Sequence, residues 1–517
     1  LAQLKTINAA TTGTITLTDY SVDLSGSTAD VKAALDGTFA DTYTGNVTLG
    51  DADDVEIAAT DITAIAGDTN GTVTVTNAII ITGTSAAIAT AVGNVDTFSG
   101  AAKASLGNAH TLDQLKTINN AVSGQLTLTD YDVDLSGSTA DIKAALAGTF
   151  AAAYTGDVTL GDNDDVEIAA TDITAIAGAT NGTVTVTNNI IITGTSAAIA
   201  TAVGNVDTFS GAAKASLGNA HTLDQLKTIN NAISGTLTLT DYSVGLSGST
   251  ADVKAALAGT FADTYTGNVT LGDADDAEIA ATDITAIAGD TNGTVTVTNA
   301  IIITGTSAAI ATAVGNVDTF SGAAKASLGN AHTLDQLKTI NNAVSGQLTL
   351  TDYDVDLSGS TADIKAALAG TFAAAYTGDV TLGDNDDVEI AATDITAIAG
   401  ATNGTVTVTN NIIITGTSAA IATAVGNVDT FSGAAKASLG NAHTLDQLKT
   451  INNAISGTLT LTDYSVGLSG STADVKAALA GTFADTYTGN VTLGDADDAE
   501  IAATDITAIA GDTNGTV

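Results

Sequence analysis

The sequence predicts a repeat solenoid of the parallel β-type with short helices, an α/β array rather than a set of independent domains. Three observations carry this. The segment LKTIN starts at Leu4 and returns at Leu115, Leu226, Leu337 and Leu448, a period of 111 residues. Residues 112–222 recur letter for letter as 334–444, and 223–295 as 445–517. Within one period, the same apolar rhythm is used several times. Periods of this kind mark units that bury their apolar faces only by stacking on one another.

The rhythm is clearest in residues 112–222. One segment runs from Gly124 to Gly148, a second from Gly156 to Gly178, and a third from Gly182 to Gly204. Each opens on Gly and alternates apolar residues with Thr at period two, the strand signature. Each then turns at Asp or Asn and closes in an Ala-rich stretch with helical spacing. A fourth, weaker copy runs from Phe209 to Ser234. There Thr222 and Gln225 form a capping-box pattern ahead of Leu223, Leu226 and Ile229. The four coils average about 27 residues.

On this template Leu126, Leu128, Val158, Leu160, Val184 and Val186 face inward from strands. Ile142, Leu146, Ile173, Ile176, Ile199 and Val203 lie under the helices. Thr127, Thr159, Thr183 and Thr185 face outward. Coils one strand spacing apart, about 4.8 Å, would advance each unit about 19 Å and the whole chain about 90 Å. The expected organisation is one continuous solenoid of five repeat units: 1–111, 112–222, 223–333, 334–444 and 445–517. The first and last are read as truncated, so that the chain is a piece of something longer. An alternative is a string of immunoglobulin-like β-sandwiches, which have a similar unit length. The helical stretches STADIKAAL, TDITAIAG, TSAAIATAV and TLDQLKTIN speak against it, as does the lack of any linker between units.

Composition narrows the function. The 517 residues are 44% hydrophobic with a mean hydropathy of +0.28, enough apolar content to fold. Asp and Glu total 57 against 14 Lys, and the formal charge is -43. Nucleic acid and anionic membranes would be repelled. No apolar run is long enough for membrane insertion, and no secretory leader pattern opens the chain. Without Cys there is neither a disulfide framework nor thiolate chemistry.

The phrase LKTINAATTGTITLTDYSVDLSGSTADVKAAL from Leu4 to Leu35, with its helix, Gly, Thr-alternating strand and second helix, resembles repeats in the giant extracellular tandem-repeat surface proteins of cyanobacteria and other bacteria. The likeness lies in composition and rhythm and extends over every unit. It implies an extracellular, cell-surface location and a structural role in a fibre, sheath or surface-layer filament formed by self-association. The stalk of a calcium-stiffened adhesin is the alternative. The GGxGxDxUx calcium repeat is absent from the chain.

Acidic turns are the candidates for chemistry. The alignment puts Asp130, Asp162 and Asn188 at one turn position in successive coils, with Asp132, Asp164 and Asp165 behind. Stacked carboxylates repel, and Ca²⁺ with its tolerance of irregular oxygen ligands would relieve that repulsion. The candidate ligands are Asp19, Asp51 and Asp53 in unit one, Asp130, Asp162 and Asp164 in unit two, and Asp241, Asp273 and Asp275 in unit three. They continue as Asp352, Asp384 and Asp386 in unit four and Asp463, Asp495 and Asp497 in unit five. The competing interpretation is simple Asx turns in solvent, with Asn188, Asn77, Asn299 and Asn410 sharing amide hydrogen bonds. Outward Thr rows raise ice binding as a distant third function.

No enzyme is expected. His110, His221, His332 and His443 come one per unit and are read as surface or capping residues. No G-x-S-x-G elbow or phosphate loop is present. Tyr20, Tyr43 and their equivalents are read as cover for helices.

Overall fold

A computed structural model describes residues Leu1–Val517 and divides them into two compact units. One comprises Leu1–Val244 and Ala255–Thr266, the other Gly245–Lys254 and Gly267–Val517. In the first, the opening elements are α1 (Ala2–Ala10), β1 (Leu24–Gly26), α2 (Thr28–Leu35), β2 (Val47–Leu49), β3 (Glu56–Ala58) and α3 (Ala59–Asp68). They continue with β4 (Val73–Val75), β5 (Ile80–Gly83), α4 (Ser85–Gly93), β6 (Thr97–Phe98), β7 (Lys103–Leu106), α5 (Leu112–Ala121) and β8 (Leu126–Thr127). The same order then returns, beginning with the strand Leu135–Gly137 and the helix Thr139–Leu146. Repeated short parallel strands alternating with helices are therefore what the sequence period encodes.

Two four-stranded sheets serve the first period. One runs β1-β2-β4-β6 and the other β3-β5-β7-β8. Every ladder is parallel, as in Val47↔Val73 and Ile81↔Ala104. Parallel neighbours need a crossover connection, and here a helix lies between each strand and its partner. This removes the sandwich alternative, whose sheets are antiparallel. The second compact unit repeats the arrangement, with Leu246–Gly248, Val269–Leu271, Val295–Val297 and Thr319–Phe320 as one parallel sheet.

Alternation within strands sorts the side chains as expected. Leu126, Leu128, Val158, Leu160, Val184 and Val186 are buried, and so are Ile142, Leu146, Ile173, Ile176, Ile199 and Val203 beneath the helices. Thr127 and Thr183 are exposed, and Thr159 and Thr185 half-exposed. Across the ladder Thr159 lies beside Thr185, and Thr185 beside Thr208.

Register corrects one part of the template. Leu126 reads as the counterpart of Val158 and Val184, but it pairs with Ala104 in the other sheet. The partner of Val158 is Leu135. Pattern alignment matches apolar and Thr letters, whereas the backbone ladder also counts the loop residues between them. The consequence is a drift of strands against helices. β3 abuts α3, β5 is separated from α4 by Thr84 alone, β7 from α5 by residues 107–111, and β8 follows α5. A new ladder opens beside the next helix at Leu135, so one turn of this drift takes the full 111 residues.

Helices pack on their successors, α1 on α2 and onward to α5 on the helix Thr139–Leu146. Their starts are marked by side-chain caps: Ser138 accepts from the Asp141 amide, and Thr195 from that of Ala198. Thr111 with Gln114, and Thr222 with Gln225, make complete capping boxes. Glycine is required where the strand before a helix kinks. Gly194 has φ +150°, outside the range of ordinary L residues. At Gly182 a Cβ would come within 2.4 Å of the Gly156 carbonyl oxygen of the preceding coil.

Ile199 is fully buried between sheet and helix. Ile199→Ala should lower unfolding free energy by about 2–5 kcal/mol in urea titration. Thr127→Ala on the exposed face should change it by no more than about 0.5 kcal/mol.

Candidate functional site

The acidic turns are built by three kinds of aspartate, and each accepts hydrogen bonds from backbone. Asp162 takes the Thr139 amide at 2.9 Å and the Thr139 hydroxyl at 2.5 Å. Thr139 is the first residue of a helix, so the carboxylate of one coil satisfies a free amide of the preceding coil's helix and meets the positive end of its dipole. Asp51 with Thr28, Asp273 with Thr250, Asp384 with Thr361 and Asp495 with Thr472 repeat this contact. Asn219 does the same for the Ser196 amide at 2.7 Å.

The second kind reaches the other way along the array. Asp164 accepts from the Asn189 amide at 2.9 Å, as Asp53 does from Ala78, Asp275 from Ala300 and Asp386 from Asn411. Asp497 stands at that position in the last copy. The third kind closes a local Asx turn. Asp130 and Asp352 accept from the amides of Asp132 and Asp354. Asp19, Asp241 and Asp463 accept from both hydroxyl and amide of Ser21, Ser243 and Ser465. The serine hydroxyl first, and then the serine amide, hold these three carboxyls below the ordinary aspartate range.

The expected stacking of Asp130 on Asp162 does not occur. Asp130 follows the strand Leu126–Thr127 in one sheet, and Asp162 follows Val158–Leu160 in the other. Asp162 and Asn188 do come together, with the Asn188 amide donating to the Asp162 backbone carbonyl at 2.5 Å. Asn77, Asn299 and Asn410 donate likewise to Asp51, Asp273 and Asp384. These amides therefore bond to backbone rather than to one another. No group of three or more His, Asp or Glu side chains converges on a point that could hold a metal ion.

All 14 lysines lie within ion-pair distance of an aspartate, and most of the pairs span neighbouring coils. Lys116 meets Asp141 at 2.8 Å, Lys143 meets Asp172 at 2.5 Å, and Lys214 meets Asp165 at 2.6 Å. Asp165 has φ 63°, a left-handed turn residue that Asp tolerates better than most. Exposed pairs of this sort contribute little net stability, so they serve chiefly to mark register.

Sequence reasoning missed the polar cluster inside the core. The four histidines, expected at the surface, are each 4% exposed. Tyr154, Tyr265, Tyr376 and Tyr487, expected as helix cover, are fully buried. His110 Nε2 lies 3.0 Å from the Tyr154 hydroxyl, which donates to the Val133 carbonyl at 2.6 Å. The rings of His110 and Tyr154 are 5.9 Å apart, and Phe150 packs against Tyr154 at 5.8 Å. Burial pushes the Tyr154 hydroxyl far above the usual phenol range. The constant interval between each His and its Tyr was the available signal, but every interval is constant in so strict a repeat.

Comparison with protein-family models and with curated proteins finds no match for the chain.

Since nearly every turn carboxylate accepts a hydrogen bond from backbone and none forms a shared cage, the thermal midpoint should agree within about 1 °C in chelator and in millimolar Ca²⁺. A rise with Ca²⁺ would show a folded-state ion site. Asp162→Ala should cost about 1–3 kcal/mol by leaving the Thr139 amide and hydroxyl unpaired, and Asp162→Asn less, as read from urea midpoints.

Proposed function

We propose that the chain is a structural segment of a giant extracellular repeat protein at the cell surface, in which length and stiffness are the activity. The coils of about 27 residues would continue as one solenoid through the five repeat units, and copies would associate into a fibre, sheath or surface-layer filament. One observation supports this above others. The distinctive polar groups of a unit, its lysines, turn aspartates, Asn188 and the His–Tyr pair, are largely spent on neighbouring coils. Asn119, for example, donates to the Ala145 carbonyl at 2.6 Å, near the C-terminal end of the next helix. A chain whose side chains bind its own next turn is organised for propagation.

The strong negative charge fits this role, because it keeps apolar-cored columns apart until a specific contact joins them. The adhesin stalk would use the same column to project a binding domain.

Immunogold electron microscopy with antibodies against this chain should label filaments or a sheath at the cell surface. Isolated threads under the label would favour the stalk. Label confined to the cytoplasm would overturn both.

A further inference from the structure

The buried His–Tyr pairs tie neighbouring coils like the other polar groups, but their hydrogen bonding is unusually constrained. Tyr154 has one hydroxyl proton, and it goes to the Val133 carbonyl. His110 Nε2 must then carry the hydrogen that points at the Tyr154 oxygen, which assigns the imidazole to the neutral Nε2–H tautomer. Nδ1 is left as a buried acceptor with no partner, and the same holds for His221, His332 and His443.

His110 sits in the loop between β7 and α5, which is fastened on either side. Asn108 accepts from the Ser85 amide at 2.7 Å, and the Ser85 hydroxyl lies 2.8 Å from the Gln114 side-chain oxygen and 3.1 Å from the Ala109 carbonyl, sharing its one proton between them. Tyr154 belongs to the repeat unit that follows, so the pair ties the end of one sequence unit to the beginning of the next. The copies are His221 with Tyr265, His332 with Tyr376, and His443 with Tyr487.

We propose that these four pairs are acid-released clasps: a proton arriving at Nδ1 creates a buried cation without an acceptor, the imidazole leaves the tyrosine, and the loop carrying it comes free. No bond other than N–H forms, and the proton comes from solvent. The charged group acting on His110 is Asp130, with Asp132 and Asp134 acting on Tyr154 beside Asp130. Asp241, Asp352 and Asp463 stand in the same relation to the other histidines. Their attraction for a cation opposes release but is outweighed by burial, which holds all four imidazoles below the ordinary histidine range.

The sign follows from linkage. A histidine whose folded value is depressed binds its proton more readily once released. Stability is therefore complete above the unfolded value of about 6.5, is lost as pH falls through it, and levels off below the folded value. Ordinary carboxylates titrate lower, near 4.

Imidazole proton resonances of the full chain, followed by NMR from about pH 8 to about pH 4.5, should titrate below about 6.5. Midpoints at or above that value would overturn the proposal. Thermal midpoints at roughly pH 7.5 and roughly pH 5.5 should fall by several degrees in the natural chain. The variant H110Q/H221Q/H332Q/H443Q keeps an amide donor for each tyrosine and should lose less than half as much; equal losses would also overturn it. If that variant does not fold, the NMR titration decides alone.

Discussion

Each coil of this protein depends on its neighbours to cover the apolar flank it cannot cover itself. Val158 and Leu160 on a three-residue strand, with Ile173 and Ile176 on a ten-residue helix, are far too few to enclose a core. All are buried because a parallel strand and a packed helix stand on the adjoining coils. An isolated helix of ten residues is marginal in water, so the stacking supplies what local propensity lacks. Hydrophobic contact and ladder hydrogen bonds act along the same direction.

The polar groups follow that direction too. A helix of eight residues has more orphan amides and carbonyls than helical bonds to satisfy them, and neighbouring coils supply partners. Asp162 reaches back to the Thr139 amide, and Asn119 reaches forward to the Ala145 carbonyl. Of the turn carboxylates that look like a cation site in the linear sequence, Asp162 and its equivalents thus support a helix start, and the others hold loop amides. At Asp162 and its equivalents the anionic charge meets the positive end of that helix.

The histidine clasp departs from this economy. A row of valines or leucines would fill the space of His110 and Tyr154 without leaving Nδ1 unpaired. A buried, half-satisfied polar group is a standing cost, and the clasp is where this array is sensitive to protons.

Much of the fold was legible because it follows from periodicity. The alternation in VTL and VTV, the Ala-rich helical runs, and the Thr222–Gln225 capping box are local signals with direct stereochemical causes, so strands, helices and buried faces could be read from letters. The pairing of Leu126 with Ala104 instead of Val158 was not legible, because loops count in a backbone ladder but leave no mark in the apolar rhythm. Nor could the sequence place Asp130 and Asp162 in different sheets, or put His110 against Tyr154. Period and amphipathic pattern are properties of a chain and its nearest neighbours in sequence. Register, and the polar partners that register selects, exist only once successive coils have been laid against one another.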